Sequence, residues 1–181
     1  MTTSTDNDPV ILVDADDIAV GTAGKLDAHR RGLKHRAISA LVRNAAGAFL
    51  LQRRNPVKYH SGGLWTNACC SHPYPGESVA AAAQRRLSQE MGIDCPLEPL
   101  FVLHYHTPVS DGLIENEVVH VFGGRYEGPV KPDPAEVSDW KWMPFAELSA
   151  DVRANPERYT IWFREYLAKR GDLIAAWVAQ P

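Results

Sequence analysis

The chain has 181 residues, of which 45% are hydrophobic and 23% charged, and its formal net charge is −3 at pH 7. This length and balance predict a single globular domain. The lack of a basic excess argues against nucleic acid or an anionic membrane as a partner, and no apolar run approaches the ~20 residues of a membrane span.

The start of the chain, residues 1–9, is polar and acidic. It predicts a disordered tail rather than a signal peptide, which needs an apolar core. Residues 10–181 then form the one predicted domain. Three cysteines, two of them adjacent at positions 69 and 70, make a poor disulfide framework. We therefore expect a protein of the reducing cytoplasm.

Hydrophobic periodicity predicts an α/β protein, an α+β sandwich with a mixed, mostly antiparallel sheet and helices on its faces. Residues 21–25 are predicted to be flexible, and residues 37–53 a hairpin. The last long helix is predicted to open at Pro156, where a missing N–H does no harm. The predicted strands are residues 10–13, 37–43, 48–53, 100–107, 113–126 and 139–143, and the predicted helices are 77–91, 144–148, 156–170 and 172–178.

The stretch from Trp65 to Glu77 organises the predicted chemistry. Cys70 and His72 are two residues apart, so on an extended segment both side chains leave the same face and can serve one cavity. The alternative is that Cys69 and Cys70 are small buried apolar residues and that His72 lies in a loop.

A second pair, Glu115 and Glu117, also leaves one face of a predicted strand. Adjacent carboxylates repel each other unless a cation or a shared proton separates them. The alternative is an edge strand whose acidic side chains face solvent. Three imidazoles and two carboxylates suit a divalent ion such as Zn²⁺ or Mn²⁺ with five or six ligands. The candidate ligands are His29, His35, His72, Glu115 and Glu117.

Basic residues flank these motifs, and Arg53, Arg54, Lys58 and His60 make the approach to residue 65 basic. A set formed by Lys25, Arg54, Lys58 and Arg86 suits a diphosphate, because ammonium and guanidinium groups both bind phosphate oxygens. His104, His106 and His120 remain as packed or surface histidines.

Three motifs together resemble the type I isopentenyl-diphosphate isomerases, a family of the Nudix superfamily. They are Leu-Trp-Thr-Asn-Ala-Cys-Cys-Ser-His-Pro at 64–73, Arg-Arg-Leu-Ser-Gln-Glu-Met-Gly-Ile at 85–93 and Ile-Glu-Asn-Glu-Val at 114–118. The resemblance runs from about residue 25 to residue 162. It implies a Nudix-like sheet flanked by helices in one domain. It also implies an enzyme of isoprenoid biosynthesis that interconverts isopentenyl and dimethylallyl diphosphate by protonation and deprotonation through a tertiary carbocation.

The resemblance further implies the catalytic residues. Cys70 matches the catalytic cysteine and Glu117 its partner acid or base. Tyr105 matches a tyrosine that hydrogen-bonds this glutamate, and Trp162 matches an aromatic ring over the reacting carbon.

The ligand roles follow from the same resemblance. The five His/Glu residues match the ligands of one Mn²⁺ or Zn²⁺, and Glu90 matches the residue that holds Mg²⁺ with the substrate diphosphate. The four basic residues match the diphosphate contacts. The interval from His29 to His35 is one residue shorter than the family pattern. The expected partner is isopentenyl diphosphate, bound by a monomer or weak dimer.

Two other functions compete with this interpretation. A Nudix hydrolase of diphosphates needs a cluster of Mg²⁺-binding carboxylates on its helix, and here Arg86 and Gln89 occupy two of those acidic positions. A metal-stabilised binding module without catalysis explains the histidines but not the pairing of Cys70 with Glu117. Arg86 and Glu90 are four residues apart on one helix and therefore neighbours. The alternative to their roles in binding Mg²⁺ and diphosphate is a solvated ion pair on the surface.

Overall fold

The computed structural model describes residues 8–58 and 60–180, and within them a nine-stranded mixed sheet is accompanied by four helices. The strands are β1 (Pro9–Val13), β2 (Ala19–Gly24), β3 (His35–Arg43), β4 (Ala48–Arg54), β5 (Trp65–Asn67), β6 (Cys69–Ser71), β7 (Leu97–Pro108), β8 (Ile114–Arg125) and β9 (Val137–Pro144). The helices are α1 (Lys25–Arg31), α2 (Val79–Met91), α3 (Phe145–Ala154) and α4 (Ile161–Val178).

Strand β3 lies at the centre of the sheet. It pairs in parallel with β8 over its whole length, from His35 opposite Glu117 to Arg43 opposite Arg125. Its pairs with β1, β4 and β6 are antiparallel, as are the pairs β4–β9 and β7–β8. The prediction of a mixed, mostly antiparallel sheet is confirmed.

Alternation along β3 places a hydrophobic core on each face of the sheet. Ile38, Ala40 and Val42 belong to the core that contains Leu87 and Met91 of α2. The intervening Ala37 and Leu41 belong to the core that contains α3 and α4. Because successive side chains of a strand point to opposite faces, the sheet lies between the helices, as predicted.

Helix α2 is capped at both termini by residues suited to those positions. Ser78 caps the start by accepting a hydrogen bond from the N–H of Ala81, and Gly92 ends the helix with φ 65°, in the left-handed region that favours glycine.

The C-terminal helix begins later than predicted. Residues Pro156–Arg158 form a short 3₁₀ turn, and α4 starts at Ile161. The prediction of a helix from Pro156 is wrong because the next residues pair with the chain at Trp65. Tyr159 forms a parallel bridge to Trp65, and the N–H of Thr160 donates to the carbonyl oxygen of Trp65 at 3.0 Å. The predicted break near residue 171 is a kink at Arg170 within one helix.

Three further predictions need correction. Residues 21–24 are not a flexible segment but part of β2, paired with β1. The predicted hairpin of β3 and β4 holds only beside its turn, where Arg43 lies opposite Phe49; β4 then pairs with β5 and β9. The helix predicted at 144–148 extends to Ala154.

The expected N-terminal tail falls largely outside the described residues, which begin at Asp8, and Pro9 already belongs to β1. None of the helices in residues 8–58 and 60–180 has the length and apolar character needed to cross a membrane.

Candidate active site

Four elements bring the predicted metal ligands together. His29 lies in α1, His35 begins β3, His72 follows β6, and Glu115 and Glu117 lie on β8. The ring centres of His29 and His35 are 4.8 Å apart, and those of His35 and His72 are 5.0 Å apart. The ligand atoms form two groups that share His29. They are His29, His35, His72 and Glu117, and His29, His60 and Glu115.

The backbone determines which ring nitrogens face the carboxylates. His29 Nδ1 lies 2.7 Å from the carbonyl oxygen of Lys25, and His35 Nδ1 lies 2.8 Å from that of Leu33. A carbonyl oxygen only accepts, so both Nδ1 atoms donate, and in the neutral rings each Nε2 carries a lone pair.

These lone pairs point at other acceptors. His29 Nε2 is 3.5 Å from a Glu115 oxygen, and His35 Nε2 is 3.4 Å from a Glu117 oxygen. Within the described residues, the buried Nε2 of His35 has no hydrogen-bond partner. Two acceptors at this distance repel each other unless a proton or a metal cation lies between them. Against burial, the contact with Glu115 raises the pKa of His29, and the donor set also fits a divalent metal ion.

The pKa values of the two carboxyl groups are shifted in opposite directions. Burial, followed by repulsion from Glu117, raises the pKa of Glu115. Burial alone would also raise the pKa of Glu117, but contacts with His35 and His72 hold it well below its usual range. Tyr105 donates to Glu117 at 2.5 Å, and burial raises the pKa of this phenol well above normal, so it remains a donor. Glu117 is therefore held as a carboxylate.

Cys70 is placed beside this cluster by β6, where it lies opposite Ser39 of β3. It lies on a short strand, which agrees with the extended segment expected there. Its Sγ is 3.2 Å from Asn67 Oδ1 and 3.1 Å from Ser39 Oγ. Burial raises the pKa of the thiol to about 12, so it carries its proton at neutral pH. Cys69, the next residue, has its Sγ 3.8 Å from Glu90 and packs in the core beside α2.

A cavity of about 50 Å³ connects these groups, and its lining includes Cys70, Tyr105, Glu117 and Trp162. The indole N–H of Trp162 donates to Thr66 Oγ1 at 2.9 Å, which fixes the ring. The four residues with predicted catalytic roles thus lie around one cavity.

The four predicted diphosphate contacts form a basic region beside this cavity, and two of them, Lys25 and Arg54, also line it. Burial and then the charges of Lys58, Arg54 and Arg86 lower the pKa of Lys25 to about 8, so these groups lie within electrostatic reach of one another. Arg86 pairs with Glu90 at 2.6 Å, and both are buried, which excludes the alternative of a solvated surface pair. Glu90 lies outside both His/Glu groups, consistent with a role apart from that centre.

Two site residues were missed at the sequence level. His60 was counted as part of a basic approach, but burial, with Arg54, His29 and Lys25, lowers its pKa to about 2, so the imidazole is neutral. Glu136 was not singled out, yet it is buried and forms ion pairs with Lys58 and Arg86. Spacing along the chain could not reveal either, because both partners of Glu136 and all partners of His60 in the cluster come from distant segments.

The comparisons with known proteins agree with this geometry. The family model of the NUDIX domain matches residues 33–163. Two solved structures share the fold at 20% identity. A Deinococcus radiodurans protein has a TM-score of 0.74 and coverage of 90% of this chain and 98% of that one. The MutT protein of Methanosarcina mazei has a TM-score of 0.62 and coverage of 81% and 96%.

Sequence relatives define the family more narrowly. Isopentenyl-diphosphate Delta-isomerase 2 of Aromatoleum aromaticum is 53% identical over 155 residues, which are 86% of this chain and 82% of that protein. The isopentenyl-diphosphate Delta-isomerase of Burkholderia multivorans is 45% identical over 162 residues, 90% and 92% of the two chains. The chain therefore belongs to the Nudix superfamily and, within it, to the isopentenyl-diphosphate Delta-isomerase family.

Proposed function

We propose that this protein interconverts isopentenyl diphosphate and dimethylallyl diphosphate by protonation and deprotonation, as part of isoprenoid biosynthesis. The observation that carries the proposal is the placement of Cys70 and Glu117 around one cavity, the first held as a thiol and the second as a carboxylate. Moving the double bond requires a proton to be added at C4 and another removed from C2. One protonated and one ionised group at the same cavity supply that pair.

The tertiary cation between the two steps needs protection from water. Tyr105 keeps the Glu117 carboxylate oriented, and Trp162 places an aromatic ring in the lining of the cavity. An aromatic face attracts a cation, and a site from which water is excluded protects the cation from being trapped. Which of Cys70 and Glu117 meets C4 depends on the orientation of the bound substrate.

We assign His29, His35, His72, Glu115 and Glu117 to one Mn²⁺ or Zn²⁺. When bound, such an ion lowers the proton affinity of a carboxylate that it contacts. We assign Glu90 to Mg²⁺ that accompanies the substrate diphosphate. Lys25, Arg54, Lys58 and Arg86 bind the diphosphate itself, so that remote binding energy orients the hydrocarbon end.

Every residue in this proposal comes from one chain, so we expect a monomer or weak dimer to be active. Cys69, Cys70 and Cys95 are free thiols, and a catalytic thiol needs reducing conditions. We therefore place the reaction in the cytoplasm.

The deciding experiment is incubation with isopentenyl diphosphate and Mg²⁺ in D₂O, followed by NMR. Thiol and carboxyl protons exchange with solvent, so dimethylallyl diphosphate should gain deuterium in a methyl group, and prolonged reversal should label C2 and C4. Isomer without deuterium would contradict the roles of Cys70 and Glu117. Release of phosphate without isomer would instead support the hydrolase alternative, which the pairing of Arg86 with Glu90 disfavours.

A further inference from the structure

We propose that His60 is an additional ligand of the His/Glu centre, so that the ion is bound by four imidazoles and two carboxylates. This inference rests on the metal centre proposed above and extends it by one residue. His60 lies between β4 and β5, in a segment whose exposure changes abruptly. Val57 is 84% exposed, whereas His60 is only 6% exposed.

Glu115, like Glu117, contacts two imidazole rings. One Glu115 oxygen is 3.5 Å from His29 Nε2, and the other is 3.4 Å from His60 Nε2. On Glu117, one oxygen is 3.4 Å from His35 Nε2 and 3.1 Å from His72 Nε2. Each carboxylate therefore lies beside two imidazole nitrogens, and His60 occupies the same relation to Glu115 as His35 does to Glu117.

These distances are those of neighbouring ligands on one ion. Ligand atoms about 2.0–2.2 Å from a metal and at right angles to each other lie roughly 3 Å apart. The four nitrogen-to-oxygen distances, 3.1–3.5 Å, need only small adjustments to reach that value.

The orientation of the ring supports a ligand role. His60 Nδ1 lies 3.3 Å from Ser61 Oγ, which can accept its N–H and leave the Nε2 lone pair directed toward Glu115. Metal-binding histidines commonly use the second nitrogen in this way. The ring also packs edge-on against Trp162, at 5.7 Å between centres, and Arg54 donates to its backbone carbonyl at 3.3 Å.

One ion explains both ligand groups better than two. His29 belongs to both groups, and its Nδ1 is engaged by the carbonyl of Lys25. Only its Nε2 remains for coordination, and one nitrogen lone pair binds one ion. The two groups do not merge into one set of ligand atoms within 4.8 Å of one another, so a single ion must draw them together when it binds. We therefore infer a single centre with six donors whose formation includes this movement.

The test is to compare ion binding in the whole protein and in three variants. His60→Ala is the test variant, His72→Ala sets the effect of losing a ligand, and His106→Ala, on the exposed side of β7, is the matched control. Chelator competition measures Mn²⁺ and Zn²⁺ affinity, and water-proton relaxation by bound Mn²⁺ reports whether water reaches the ion. His60→Ala should weaken binding at least about 10–100-fold, the cost seen even for outer contacts of metal ligands.

Loss of His60 should also admit water to the ion, so relaxation of water protons by bound Mn²⁺ should rise, and added imidazole should reverse the rise. A packing role would not produce this pair of results. His60→Gln, which retains the size of the side chain, guards against a folding defect. Unchanged affinity and relaxation in both His60 variants, with binding lost in His72→Ala, would overturn the proposal. A wild-type protein that holds no ion would overturn the centre itself, independently of isomerase activity.

Discussion

The molecule contains two groups of buried glutamates that differ in what they face. Glu115 and Glu117, on β8, face imidazole nitrogens across 3.1–3.5 Å. Glu90 and Glu136 instead contact permanent cations, the guanidinium of Arg86 and, for Glu136, the ammonium of Lys58.

This difference separates a site that needs an added cation from one that already contains its counter-charges. Burial, with Glu117 nearby, raises the pKa of Glu115, whereas burial acting on Glu136 is outweighed by Lys58 and Arg86, which lower its pKa. The same residue type therefore serves as a candidate metal ligand in one region. In the other it holds the basic side chains that we assign to the diphosphate.

The adjacent cysteines provide the largest test of this division, because Cys70 lines the cavity and Cys69 contacts Glu90. We expect Cys70→Ala to lower kcat about 10²–10⁴-fold, the usual contribution of a positioned acid or base. Cys69→Ala should keep kcat within a few-fold and lose stability, by about 0.5–3 kcal/mol. Steady-state kinetics and urea unfolding measure both. An inactive Cys69→Ala with an active Cys70→Ala would reverse the assignment of the two thiols.

Replacing one glutamate of each group by glutamine should change the free energy of unfolding in opposite directions. Glu136→Gln leaves Lys58 without its buried anion, whereas Arg86 keeps Glu90, and it should destabilise the fold by about 1–3 kcal/mol. Glu115→Gln should stabilise the metal-free protein at neutral pH. A carboxyl whose pKa is raised on folding adds stability only at low pH and loses it as the pH rises through that pKa, and an amide escapes this loss.

Urea unfolding with a chelator present, for both amide variants and the wild type, makes this measurement. Equal destabilisation by the two substitutions would show that the two groups of glutamates do not differ as proposed.

The smallest expected effect concerns pH and the basic region. The pKa of Lys25 is lowered to about 8 by burial and by Lys58, Arg54 and Arg86, so its charge is lost as the pH rises through that value. We expect KM for the diphosphate substrate to be constant below this pH and to rise a few-fold above it. Lys25→Arg should remove the rise, because a guanidinium stays charged.

The exposed Lys169→Arg is the matched control and should keep the wild-type profile of KM against pH. A rise that persists in Lys25→Arg would assign the titration to another group.

The sequence by itself determined the features that depend on local geometry. Glu115 and Glu117 share a face because strand side chains alternate, and Arg86 meets Glu90 because residues four apart are neighbours on a helix. The shared apolar face of Leu87 and Met91 in α2 and the stop of this helix at Gly92 follow from the same short-range rules. The resemblance of three motifs to a known family extended these pairs to a site.

Only the tertiary structure decided which distant segments meet. The parallel register of β3 and β8 places His35 opposite Glu117. The contact of His60 with Glu115 and that of Glu136 with Lys58 and Arg86 join segments at least fifty residues apart. Likewise, pairing of residues 159 and 160 with Trp65 overrides the helix start expected at Pro156. Such contacts form because burial of a whole sheet between two cores selects one register, and no spacing along the chain encodes that choice.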